Sequence, residues 1–357
     1  GKDEYLFGTL KQEGKATSEV LKEIVPAAIK GVTFPKAMRW GGKNMRFARP
    51  IRWMVALLND EVLPINLEGI VASNITRGHR FLGRNQIEVF SIEDYFKQLS
   101  KNSVVLDQNV RKEAIKAQAE EVAKSLGGEV EIEDDLLEEI TYLVEYPTAF
   151  YGEFNADYVK LPKEVVTTPM KEHQRYFPVS KDGKLLPYFI AVRNGDKNGI
   201  ETVKAGNEKV LEARLADALF FYDEDIKKPL ESFVENLKTV VFQAKLGTVY
   251  DKTLRIEKLA QDIVETLDEK EILNDTLRAA KLCKADLVTN MVFEFTELQG
   301  VMGREYAKVG GENDAVAQAI FEHYLPRFAG DILPQTQEGV ALSIADKLDS
   351  IAGFFAI

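Results

Sequence analysis

Cysteine and histidine are scarce in this chain: one cysteine, Cys283, and three histidines, His79, His173 and His323, among 357 residues. A single cysteine cannot close an internal disulfide, so a reducing compartment such as the cytosol suits the chain. Cys283 lies in "AAKLCKADLV", where it reads as a small buried apolar residue rather than a nucleophile. Three histidines, far apart in sequence, leave few ways to assemble a multi-histidine metal site. Long apolar runs are missing too. No stretch of about 18 uninterrupted apolar residues occurs to suggest a spanning helix. The opening "GKDEYLFGTL" shows none of the regions of a secretory signal.

Positive charge is also in deficit. Lys and Arg total 46 against 57 Asp and Glu, a formal net charge of −11, which at first sight argues against a nucleic-acid partner. The distribution matters more than the total. Lys36, Arg39, Lys43, Arg46, Arg49, Arg52, Arg77, Arg80 and Arg84 face only Asp60, Glu61 and Glu68 over 36–84, a local excess of six positive charges. An acidic chain with one arginine-rich stretch can hold a polyanion there and stay soluble elsewhere.

What remains is ordinary for a globular protein: 45% hydrophobic and 29% charged residues, with length enough for two or three domains. "ATSEVLKEIVPAAIKGVTFP" predicts a helix capped near Thr17 or Ser18, with Val20, Leu21, Ile24 and Ala28 as its apolar stripe and Pro26 bending or shortening it. Strand-like runs follow, with a turn at Asn59-Asp60. Helices are expected at "VRKEAIKAQAEEVAKSLGG", with Ile115, Ala119, Val122 and Leu126 as its stripe, and at "EDDLLEEITYLVEYP". A strand is expected at "LPYFIAVRNGD", turning at Asn194-Gly195. From Asn207 the period becomes helical, with Leu211, Leu215, Ala218, Leu219 and Tyr222 on one face. The expected organisation is therefore α+β: a mixed region over 1–228, with a helical segment about 105–147, then an all-helical region over 229–357. The closing "SIAGFFAI" stays apolar to its last residue and is expected to need cover from chain beyond it.

Three constellations could carry chemistry. In "MRWGGKNMRFARPIRW" and "ITRGHRFLGR", arginines interleave with Trp40, Phe47, Trp53 and Phe81. Arginine offers a flat fork for phosphate and a face for stacking, and an aromatic ring offers a platform for a base. The alternative is that Trp53 and "MVALL" are core and that some arginines are paired to acids. In "TTPMKEHQRYFPVSKDGK", Lys171, His173, Gln174, Arg175 and Tyr176 crowd six positions. His173 could act as a general base, but no Ser, Cys or carboxylate stands at a dyad spacing, so a hydrogen-bonding or phosphate-contacting loop is expected.

The third is the late helix "ALSIADKLDSIAGFF", which sets Asp346 as HD-type phosphohydrolases set their last metal ligand. Such a site also needs a histidine on an early helix and a His-Asp pair between them. "KTLRIEKLA" puts Lys252 at the first position, and "CKADLV" puts Ala285 before Asp286 at the second. A lysine ammonium repels a cation, and two carboxylates are too few for a tight site. The HD positions Lys252, Ala285, Asp286 and Asp346 thus read as degenerate, with no metal expected.

Long stretches in order resemble one family: "MRWGGKNMRFARPIRWMVALLND", "TRGHRFLG", "MKEHQRYFPV", "AGNEKVLEARLADALFFYDED", "FQAKLGTVYDKTLRIEKLA", "KADLVTNMVFEFTELQGVMGREYA" and "EHYLPRFAGDILPQTQEGVALSIADKLDSIAGFF". They are similar to the β subunit of bacterial tetrameric glycyl-tRNA synthetase, over nearly the whole chain. Family members extend further on both sides, so the resemblance implies a central piece of such a subunit.

The resemblance implies a B3/B4-like mixed region followed by an HD-like helical domain without a working metal centre. It implies a cytoplasmic α₂β₂ assembly in which the α subunit uses ATP and Mg²⁺ to activate glycine and the β subunit binds and positions tRNA(Gly). B3/B4 modules can house editing, yet glycine is the smallest amino acid, and larger ones can be excluded sterically. No catalytic residue or cofactor is therefore expected in this chain, and it should be inactive alone. The residues expected to contact tRNA or the partner subunit are Arg77, His79, Arg80, Lys171, His173, Gln174 and Arg175, then Arg39, Arg46, Arg49 and Arg52. Asn207, Arg214 and Asp217 are expected to be structural. A metal-dependent HD phosphohydrolase and an aminoacyl-tRNA editing hydrolase stand as alternatives.

Overall fold

A computed structural model describes Gly8 and residues 13–357. The chain is α+β and packs as two units. One comprises the chain up to Gln118 with Leu137–Ala149 and Val192–Asn198; the other comprises Ala119–Leu136, Phe150–Ala191 and Gly199–Ile357.

In the first unit, α1 (Thr17–Gly31) carries Pro26 inside it and buries no side chain completely. Leu21 and Val25, one turn apart, pack on a small core of Leu63, Ile65 and Ala72. The expected stripe is thus rotated: Ile24 is exposed, because apolar residues ring more of α1 than this small core can cover. The cap also differs from expectation, since Ala16 precedes the helix and offers no side-chain acceptor.

Short hairpins follow. β1 (Leu57–Leu58) pairs antiparallel with β2 (Glu61–Val62), and β3 (Asn66–Leu67) with β4 (Ile70–Val71). The first turns at the expected Asn59-Asp60, where Asn59 takes the left-handed φ of 55° that asparagine tolerates. β5 (Ile75–Thr76) pairs with β6 (Ile87–Glu88) and closes the loop between them. Ser91 then caps α2 (Ile92–Lys101) by accepting from the Asp94 amide. Near the start of α3 (Gln108–Ser125), Arg111 donates to the carbonyls of Val105 at 2.6 Å and Thr141 at 2.7 Å.

A four-stranded sheet is ordered β7-β9-β10-β8, and apart from Pro147–Ala149 and Val192–Asn194 its strands belong to the second unit. Its strands are β7 (Glu129–Val130), β8 (Pro147–Glu153), β9 (Phe177–Lys181) and β10 (Lys184–Asn194). α4 (Asp134–Leu143) falls between β7 and β8 in the chain. β9 pairs antiparallel with β7 and with β10, and the tight turn to β10 uses Asp182-Gly183, both at positive φ.

α5 (Lys163–Thr168) lies between β8 and β9 in the chain, and α6 (Ile200–Asp225) follows β10, with Leu211, Leu215 and Ala218 fully buried, as their spacing requires. After a small hairpin of β11 (Val241–Gln243) and β12 (Gly247–Thr248), the chain is helical. α7 (Val249–Thr266) opens on a Thr248/Asp251 capping box. α8 (Leu273–Leu282), α9 (Asn290–Glu294), α10 (Val301–Val309), α11 (Asp314–Glu322) and α12 (Gln337–Ala356) follow. One buried cluster takes in Phe189 of the sheet, Leu211 and Leu215 of α6, and Ile256 and Ala280 of the later helices. Asp225, buried at the end of α6, fastens that helix to its neighbours. It accepts from the Asn290 and Met291 amides at 3.1 and 3.0 Å and from the Tyr306 hydroxyl at 2.9 Å.

Candidate nucleic-acid interface

The arginine-rich stretch lies wholly in the first unit. Arg39, Arg46, Arg49 and Arg52 are exposed, and so are Arg77, Arg80 and Arg84. None of the seven forms an ion pair with a carboxylate among the described residues. The internal ion pairs expected for some of them are not formed among the described residues. Asp60 and Glu61 are exposed at the turn of a hairpin, while Glu68 is taken up by Lys30 at 2.8 Å. Arg46 also lines an open cleft of about 620 Å³ with Lys30, Phe34, Asn44 and Met45.

The aromatic residues divide. Trp40 and Phe47 are half-buried, with Phe47 edge-on to Phe34. Trp53 is 43% exposed, and Phe81 is 82% exposed. An isolated parallel bridge joins the chain at Val55 to that at Ser73. The Arg77 guanidinium lies 4.7 Å from the Trp53 ring centroid, and that of Arg80 lies 5.7 Å from Phe81. Both distances fit a cation over an aromatic face.

His79, expected beside them as a contact residue, is buried at 2% exposure. Its Nε2 meets Asn194 Oδ1 at 3.2 Å, and its Nδ1 accepts from the amides of Phe81 and Leu82 at 3.3 Å each. The ring is consumed inside its own unit and supports the loop instead of presenting an edge to a partner.

The second constellation, in the other unit, is a helical turn and not a loop. Pro169–Gln174 continues α5 as a π-helical turn and stops at Arg175, which adopts left-handed φ of 57°. The side chains turn inward. Lys171 pairs with Glu133 at 2.6 Å, and His173 lies 3.8 Å from Glu297 with its ring stacked on Phe295 at 6.1 Å. Gln174 accepts from the Tyr176 hydroxyl at 3.4 Å, and Arg175 donates to the Glu172 carbonyl. Most polar groups of this motif are thus occupied within their own unit, while among the described residues His173 Nδ1 is buried without a hydrogen-bond partner. Of the residues expected to be structural, Asn207 meets the Tyr176 hydroxyl and bonds the Val203 carbonyl, and Arg214 pairs with Glu294 at 3.5 Å.

Of the four positions expected as a degenerate HD site, Lys252 and Asp346 meet in a buried charge cluster. The Lys252 ammonium, on α7, lies 2.9 Å from Asp346 Oδ1, 2.9 Å from Asp349 Oδ2 and 2.9 Å from Ser350 Oγ. Lys284 approaches the other Asp346 oxygen at 3.1 Å. Burial alone would raise the Asp346 pKa, but the charges of Lys284 and Lys252 overcome it and hold the carboxyl below its ordinary range. Arg255 completes the set by bonding Asp349 at 2.5 Å.

Asp286 is turned elsewhere: its Oδ2 accepts from the Gly300 and Gly303 amides at 2.6 and 3.0 Å, at the start of α10. Neighbouring Ala285 is buried core. His323 is fully buried, and burial pulls its pKa well below 6.5. Among the described residues no group of three or more His, Cys, Asp or Glu could hold a metal ion. Nothing in the sequence singles out Lys284 or His323 as members of this cluster. The helical spacing of Asp346 and Asp349 marks a charged helix face, but nothing local shows which cations from other helices will meet it.

A family model described as glycyl-tRNA synthetase beta subunit matches residues 1–357. The chain belongs to that family. It is 74% identical over 357 residues to the glycine–tRNA ligase beta subunit of Clostridioides difficile (strain 630), covering all of this chain and 52% of that relative. The corresponding subunit of Desulforamulus reducens is 54% identical over 359 residues, again covering all of this chain and 52% of the relative. That of Syntrophomonas wolfei is 50% identical over 357 residues, covering 99% and 52%. The chain thus spans about half the length of these curated relatives. No described helix is long and apolar enough to cross a membrane.

Proposed function

We propose that this region of the glycine–tRNA ligase beta subunit binds and positions tRNA(Gly) through the arginine face of its first unit. Glycine activation with ATP and Mg²⁺ takes place on a partner α subunit, in a cytoplasmic α₂β₂ assembly. The observation that carries this reading is seven exposed arginines without carboxylate partners among the described residues, two of them beside exposed aromatic rings, in a chain of net charge −11. A surface that keeps cations unpaired inside an acidic chain is suited to phosphate, which dominates nucleic-acid affinity. The helical region from α7 to α12 serves as an HD-like frame, with an internal ion-pair network at the positions where such a fold would carry metal ligands. The phosphohydrolase alternative finds no support, because both Asp346 oxygens face lysine ammoniums. Nor does an editing hydrolase, because His173 stacks on Phe295 near Glu297 and has no nucleophile in reach among its contacts.

Titration of tRNA(Gly) binding against salt tests this. Wild-type affinity should fall steeply with salt. The double substitution Arg77→Glu with Arg80→Glu should weaken binding and reduce the log–log salt slope by about one for each phosphate the variant no longer neutralises. Unchanged affinity and slope in that variant would count against the proposal.

A further inference from the structure

The loop between β5 and β6 is braced from several sides, and it lifts one aromatic ring into solvent. Gly78 N–H donates to the Arg84 carbonyl at 2.9 Å, and Gly83 N–H donates to the His79 carbonyl at 2.8 Å, so the loop is closed at its base. Asn102, at the end of α2, holds it from beneath: its carbonyl accepts from the His79 amide at 2.9 Å and its Oδ1 from the Arg84 amide at 3.1 Å.

His79 fixes the crown. Asn194 Oδ1 can only accept, so Nε2 carries the hydrogen, and Nδ1 is left to accept from the Phe81 and Leu82 amides. Asn194 Oδ1 is itself placed by the Glu145 and Tyr146 amides at 2.9 and 3.1 Å. The backbone under Phe81 is therefore set by hydrogen bonds on both sides, while its ring stays 82% exposed.

Within its own fold the Phe81 ring meets the Arg80 guanidinium and, at 6.2 Å, the His79 ring, and these contacts leave most of the ring in water. We propose that Phe81 is a preset stacking finger for an unpaired base of RNA, with Arg80 beside it to meet the adjoining phosphate. This rests on the RNA reading above and adds the chemistry of the contact, a single-stranded nucleotide instead of a duplex backbone. Stacking on a fixed ring carries no cost of ordering the loop when the base arrives, and every base has a face to offer. The charge of the loop favours RNA over a protein groove, since 77–84 holds Arg77, Arg80 and Arg84 and no acid.

The test compares two RNA hairpins with the same stem, one blunt and one with a short single-stranded 3′ overhang carrying 2-aminopurine, each titrated with the whole chain. The expected result is that Phe81→Ala weakens overhang binding roughly 5- to 100-fold and abolishes the change in 2-aminopurine fluorescence. Blunt-hairpin binding should stay as it is, and Phe81→Trp should keep both signals. Phe81 is exposed, so these variants are expected to fold. If Phe81→Ala binds both hairpins as wild type does while Arg77→Glu with Arg80→Glu weakens both, the finger is wrong and the RNA reading stands. If neither variant alters RNA binding, the RNA reading fails as well. Loss of association with the glycine-activating subunit, with RNA binding intact, would overturn the finger and assign Phe81 to protein docking.

Discussion

A buried lysine costs several kcal/mol unless its charge is matched, and Lys252 shows how the matching is done. Asp346, Asp349 and Ser350 surround its ammonium, while Lys284 and Arg255 balance the two carboxylates. From sequence, the pairing of Lys252 with a late-helix aspartate at Asp346 reads only as a lost metal position. The structure shows an ion-pair network spanning α7, the Lys284 turn and α12.

Asp286 is less comfortable, and its discomfort is measurable. Burial pushes its carboxyl up to about 6 from 3.8, against the pull of the Gly300 and Gly303 amides. Between those values the folded chain holds a proton that the unfolded chain has released. Its contribution to stability is therefore full below about pH 4 and is lost as pH rises through about 6. Asp286→Asn cannot titrate, so its melting temperature should gain on the parent between pH 4 and pH 8. His323, with a lowered pKa, acts in the opposite direction but is present in both proteins and cancels in the difference. A melting-temperature difference that stays constant across that range would show that Asp286 is ionised throughout.

At the scale of elements, the strongest local signals are legible in the sequence. Asn59-Asp60 turns a hairpin where such residues should, and the α6 stripe of Leu211, Leu215 and Ala218 goes into the core. The turn at Asp182-Gly183 is equally readable, since Asp-Gly between apolar runs marks a hairpin. The polar cluster at Lys171–Tyr176 masks it by drawing the segment towards a loop reading. The inward turn of those side chains depends on Glu133, Phe295 and Glu297, which lie far away in sequence. For the same reason the support under Phe81 is invisible locally: Asn102 and Asn194 are distant, and His79 looks like any exposed loop histidine.

The glycines of that loop carry a consequence of their own. A Cβ on Gly83 would lie 2.6 Å from the Asn102 carbonyl oxygen and 2.6 Å from the His79 amide nitrogen, both backbone atoms. Gly83→Ala should therefore cost about 1–3 kcal/mol, as overpacking does. The loss should appear first as reduced hydrogen-exchange protection at His79 and Arg84, the two amides held by Asn102. Wild-type protection at both would mean the loop accepts a side chain and is looser than its hydrogen bonds indicate.

For the whole molecule, the deciding feature is where charge is left unpaired. The second unit spends many of its cations on internal partners, as at Lys171, Lys252, Arg278 and Arg304. The first leaves seven arginines without carboxylate partners among the described residues. Composition alone points to the stretch 36–84 but does not separate free arginines from paired ones, because pairing is a long-range property. Photo-crosslinking of tRNA(Gly) to the assembled ligase, with the attached peptides mapped by mass spectrometry, tests the claim most directly. Crosslinks are expected in 36–84, with Trp53 and Phe81 among the modified positions and 167–176 sparsely marked. Crosslinks confined to the helical region after α6, with 36–84 unmarked, would contradict it.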